Sequence, residues 1–142
     1  MEQERKPSFK IVIKRVERPF SSGLDRELEW ICSSLGFFEP IDREKTASSI
    51  FRAVVLATEK GKLLTSTEIA DKVGMSRGST VNHLNNLQRS GLIVRQGRLY
   101  LARSRSVFRT IEEIEEDIDR IFSRMKRIAK DIDEEFGIGE EA

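Results

Sequence analysis

One cysteine and one histidine are all that 142 residues offer to thiol or imidazole chemistry. Cys32 alone excludes an internal disulfide, and with His83 it forms neither a CxxC pair nor a Cys/His cluster of zinc-binding spacing. No metal site and no cofactor is therefore expected. The two residues fall far apart on different predicted elements, which leaves no nucleophile–base pair, and no catalytic residue is assigned. A Gly-rich phosphate loop is also missing, since Gly74 and Gly78 read as punctuation between helices. The longest uncharged apolar run falls far short of the ~20 residues that span a bilayer. The N-terminus, Met1 to Lys6, is charged and no apolar leader core follows it. These absences lead us to expect a cytoplasmic, soluble binding protein rather than an enzyme.

Acids are missing from residues 72–109, and that gap exposes how unevenly a net charge of +1 is spread. Residues 1–64 carry twelve Lys/Arg against ten Asp/Glu, and residues 65–106 carry seven against two. Residues 107–142 reverse the balance, with six against twelve. The central basic block is where a polyphosphate would be drawn.

Periodicity organises the chain. Phe9, Ile11 and Ile13 share one face of a predicted strand over 8–16, and Pro19 to Gly23 reads as a turn. Leu24, Leu28, Ile31 and Leu35 mark an amphipathic helix ended by Gly36. Asp42 can cap a second helix, with Ala47, Ile50, Phe51, Val54 and Ala57 on its inner face and a stop near Gly61. Thr65 and Glu68 have the form of a capping box that opens a short helix over 66–73, buried through Ile69, Ala70 and Val73. Gly74-Met75-Ser76 is a three-residue turn. A helix over 77–89 follows, burying Val81, Leu84 and Leu87 and ending at Gly91. Residues 92–95 and 98–101 form two β runs around Gln96-Gly97, a spacing that suits a tight hairpin. Helix, tight turn, helix and hairpin is the order of a winged helix-turn-helix. Ile111, Ile114, Ile118, Ile121, Met125, Ile128 and Ile132 then alternate spacings of three and four, a strict heptad seam. Phe122, Ala129 and Phe136 occupy the neighbouring e positions and widen it, which suggests more than one partner helix or packing against the domain body. The fold class read from these patterns is mainly α with a small β-hairpin, divided as 1–40, an N-terminal arm and first helix, 41–105, the winged unit, and 106–137, a coiled-coil-like dimerisation helix.

Within 65–93, the Glu68-Ile69-Ala70 start, Gly74, Ser79-Thr80-Val81 with His83-Leu84, and Leu87 with Ser90-Gly91-Leu92-Ile93 resemble the ArsR/MarR-like winged-helix regulators. The resemblance covers roughly 45 residues including the wing. It implies a homodimer whose second helices enter successive major grooves while each wing touches the flanking backbone. Carried onto this chain, Arg77, Ser79, Thr80, Asn82, His83 and Asn86 fall on the exposed side of the second helix. The clustered Cys and His ligands of the metal-sensing members are absent here, and the wing is very short.

Arg, Asn, Ser and Thr are the side chains that donate and accept at base edges, so this face suits direct readout. Arg95, Arg98, Arg103 and Arg105 suit the less exacting task of meeting phosphates. Along the last helix, residues 112–119 hold six acids and residues 120–130 hold five bases. Parallel copies would stack acid on acid, whereas antiparallel copies crossing near Arg120–Ile121 set Asp117 against Arg124. The expectation is a homodimeric, sequence-specific DNA-binding transcriptional regulator. Two alternatives stay open. One is a dimeric winged-helix protein that binds RNA or a ribosomal subunit through Lys10, Lys14, Arg15 and Arg18. The other is a protein-interaction module.

Overall fold

The computed structural model describes residue 13, residues 23–35 and residues 46–139. The strand expected over 8–16, the Asp42 cap and the basic cluster from Lys10 to Arg18 lie outside these residues, apart from Ile13, which is exposed. The chain divides into two compact units, residues 1–110 and 111–142.

The first unit begins with α1, Leu24–Ser34, which buries Leu28 and Cys32 one turn apart and packs on α2, Thr46–Glu59. Along α2 the buried positions Ala47, Ile50, Phe51, Val54 and Ala57 recur at three and four, as read from the sequence. Ile50, Phe51 and Val54 meet Ile69, Leu84, Leu87, Leu92 and Ile93 in a fully buried core. Each such side chain contributes about 1.5–3 kcal/mol by leaving water. The helices α3, Ser66–Val73, and α4, Arg77–Arg89, both pack on α2 and on each other, and their bounds agree with the sequence reading.

The sheet has one strand more than expected. Besides β2, Ile93–Gln96, and β3, Leu99–Ala102, the two residues of β1, Leu64–Thr65, pair antiparallel with β3 and make it the central strand. Leu64 faces Tyr100 and Thr65 faces Leu99. The hairpin loop is also displaced by one residue from its expected place. Gln96 pairs with Leu99, so the loop is Gly97-Arg98 rather than Gln96-Gly97. Gly97 has φ +58°, and a two-residue hairpin needs positive φ at its first central position. The glycine therefore takes that position and Gln96 stays in the ladder. Thr58 fastens the sheet to α2: its hydroxyl donates to the Val54 carbonyl and accepts the Ala102 N–H, both at 2.8 Å.

The helix α5, Val107–Glu135, opens where the Ser106 hydroxyl accepts the Arg109 N–H at 3.0 Å. Its 29 residues span about 44 Å at the standard rise. Within the second unit Ile121, Phe122, Met125, Ile128, Ile132 and Phe136 are all exposed, and an Arg120–Asp117 ion pair sits on the charged side. Of the seven seam residues expected from the heptads, Ile114 is already buried in the single chain and Ile118 is half-buried. Ile111 is 36% exposed, and beyond Ile118 the seam lies open from Ile121 onward. No helix among the described residues is long and apolar enough to cross a membrane.

Candidate nucleic-acid interface

Local chemistry fixes the two helices that carry the candidate site. Thr65 is extended, and its hydroxyl accepts the Glu68 N–H at 3.3 Å while the Glu68 carboxylate accepts the Thr65 N–H at 3.1 Å. This reciprocal box satisfies two of the donors that a helix start leaves unpaired. The Thr65 backbone N–H, and after it the Thr65 hydroxyl, holds the Glu68 carboxyl below the usual carboxylate range. Gly74 ends α3 in the left-handed region with φ +71°, a conformation that costs glycine little. Ser76 then starts α4, its hydroxyl accepting the Ser79 N–H at 3.2 Å.

The outward face of α4 differs from the expected one. The resemblance puts Thr80 on the exposed side, but it is 0% exposed and belongs to the core. The inner face runs Thr80, Leu84, Leu87, at spacings of four and three, and Val81 is only half-buried. Thr80 tolerates burial because its hydroxyl donates to the Ser76 carbonyl at 2.9 Å, leaving the methyl to pack. His83 is likewise drawn inward. It is half-buried, its Nε2 lies 3.0 Å from the Thr46 hydroxyl on α2, and its Nδ1 is buried. Asn86 is half-buried as well.

Solvent instead meets Arg77, Gly78, Ser79, Asn82, Asn85 and Arg89. Asn85 and Arg89 were missed in the sequence reading. The signal that finds them is the corrected inner face: with Thr80, Leu84 and Leu87 inside, Gly78, Asn82, Asn85 and Arg89 line the opposite side at four, three and four. The face offers two amides, a hydroxyl and two guanidinium groups, with no acid in the first turn of α4. Side chains of these kinds can donate to and accept from guanine and adenine edges.

The wing presents its cations in different ways. Arg98 sits in the loop and is exposed. Arg95 is exposed too, but its Nε donates to the Gly97 carbonyl at 2.7 Å and its guanidinium lies 5.6 Å from the Tyr100 ring centroid. Arg95 and Tyr100 are cross-strand partners, and Tyr100 is buried. Arg103 is half-buried, and its N–H donates to the Leu92 carbonyl at 3.4 Å. Arg105 is exposed. Among the described residues no group of three or more His, Cys, Asp or Glu side chains is placed to hold a metal ion.

A tripod of α2, α3 and α4 with a three-stranded sheet and a short wing defines a winged helix-turn-helix, with α4 as the helix offered outward. Residues 53–98 match the family model of the MarR family, so this segment is similar to that family's domain. The match runs from mid-α2 to the wing loop and takes in every exposed residue of α4 named above. No curated protein and no solved structure matches the chain.

Proposed function

We propose that this protein is a homodimeric transcriptional regulator that binds duplex DNA in a sequence-specific manner. The observation that carries the proposal is the outward face of α4, where Arg77, Ser79, Asn82, Asn85 and Arg89 stand free of the core inside a MarR-like domain. Asparagine and arginine there would contact base edges in the major groove, while Arg98 in the wing loop would meet the flanking phosphates. Thr80 and His83 drop out of the contact set because the fold uses them internally.

Dimerisation is proposed through the α5 seam from Ile111 to Ile132, whose apolar side chains from Ile121 onward are exposed in the single chain. Antiparallel order places the acidic stretch of one copy against the basic stretch of the other, with Asp117 opposite Arg124. In a parallel pair like charges would face one another.

The deciding measurement is competition binding to genomic DNA fragments and structured RNA, comparing wild type with Arg77→Ala and Asn82→Ala. For duplex DNA, each substitution should relax sequence preference by ~1–3 kcal/mol per lost bidentate contact while sparing non-specific affinity. The narrow A-form major groove denies entry to a helix. A wild-type protein that prefers RNA, and whose binding ignores both substitutions, would overturn the proposal. Ile121→Asp with Ile128→Asp should give monomers, since both residues are exposed and the seam cannot bury their charge.

A further inference from the structure

Two of the residues that α4 turns outward are amides with no task inside the protein. Asn82 and Asn85 are exposed, three residues apart on one face, and neither side chain makes a hydrogen bond among the described residues. Thr80 and His83, by contrast, are used within the fold, and Asn86 and Gln88 are half-buried. Asparagine is also a poorer helix former than alanine, so the stability of α4 does not call for it at either position. Arg77 and Arg89 stand at the two ends of the helix, which is about 20 Å long at the standard rise, and the two amides hold its middle.

A free amide presents a donor and an acceptor side by side. In the major groove guanine shows two acceptors, N7 and O6, while cytosine shows only a donor and thymine only an acceptor beside its methyl group. Each of these leaves one half of the amide unanswered, and an unmatched polar group closed off from water costs free energy. Adenine alone sets an acceptor, N7, next to a donor, the N6 amino group, and satisfies both halves at once. The helix has no carboxylate to accept from the cytosine amino group. Spacing then orders the two contacts. Three residues advance a helix by about 4.5 Å, against about 3.4 Å for one base-pair step, so amides placed this way fall on neighbouring pairs.

We infer that the duplex beneath each α4 carries two neighbouring A·T pairs, with Asn82 on the adenine of one and Asn85 on the adenine of the other. The inference deepens the DNA-binding reading above and rests on it, and the experiment below separates the failure of one from the failure of the other. It makes the two amides the specificity-determining residues for the central pairs and leaves Arg77 and Arg89 to either side.

The test is selection of bound duplexes from a randomised DNA library by the full chain, as wild type, Asn82→Ala and Asn85→Ala. Both positions are exposed and alanine is the better helix former, so folding is spared, and circular dichroism checks it. Wild type should recover neighbouring A·T pairs. Each variant should lose the preference at one pair, by roughly 5–150-fold, and keep it at the other. In the recovered duplex, 7-deazaadenine removes N7 and leaves base pairing intact. At either position it should weaken wild-type binding several-fold, and it should not affect the variant whose amide met that position. A motif with G·C pairs at its core, or A·T pairs that survive either alanine substitution, overturns the inference and leaves sequence-specific DNA binding standing. A·T pairs that tolerate 7-deazaadenine are read through groove shape, which overturns it as well. A wild-type protein that recovers no motif overturns both the inference and the reading beneath it.

Discussion

His83 Nε2 and the Thr46 hydroxyl share a 3.0 Å hydrogen bond that ties the middle of α4 to the first turn of α2, 37 residues away in sequence. The imidazole is thus a brace beneath the outward face rather than part of it. His83→Ala should lower folding stability by about 1 kcal/mol, the usual net worth of such a bond. Operator affinity, measured on the folded protein, should not change. A variant that keeps its urea midpoint but loses DNA binding would return His83 to the contact surface.

A second brace joins α2 to the sheet. Thr58→Val keeps the side-chain shape but leaves the Ala102 N–H without its acceptor in a part-buried position. The expected cost is ~1–3 kcal/mol, seen as a lower urea midpoint at unchanged slope. Thr58→Ser, which keeps the oxygen, should recover most of it. Equal midpoints for the valine and serine variants would show that the bond contributes nothing.

The wing arginines should separate in a salt titration. Arg98→Ala should reduce the slope of log affinity against log salt by about 0.9, the value for one phosphate neutralised on duplex DNA. Arg95→Ala should weaken binding with a smaller change of slope. Its guanidinium is committed to Gly97 and Tyr100, and losing it loosens the loop that carries Arg98. Identical slope changes in the two variants would assign them the same role.

Gly78 gives a prediction of opposite sign for stability and binding. It lies exposed in the first turn of α4, and a Cβ built there meets no atom within 4 Å. Nothing inside the chain requires glycine at this position. Gly78→Ala should therefore stabilise the fold, by up to about 1 kcal/mol from helix propensity. The added methyl stands between Asn82 and the helix start, on the face proposed to meet DNA, and should hold the helix away from the groove. Tighter folding with undiminished affinity would remove α4 from the interface.

Much of this architecture is written locally in the chain, and for that reason it was legible. Thr65 with Glu68, Gly74 with Ser76, and the three–four spacing of apolar residues each act over one helical turn, so the bounds of α3 and α4 follow from the residues themselves. The heptads of α5 are equally local, and so is the e stripe beside them. What the sequence left undecided depends on partners distant along the chain. β1 is two residues long and has no periodicity of its own. It exists because Tyr100 and Leu99 offer it a ladder 34 or more positions away. The inward turn of His83 needs Thr46, and the burial of Thr80 needs a core that rotates α4 by a fraction of a turn from the face its leucines and Val81 alone suggest. Polarity marks a side chain as able to meet water, but a hydroxyl that can bond its own helix is as well suited to the interior. Only the packed core chose between the two, and in choosing it brought Asn85 and Arg89 to the outer face of α4.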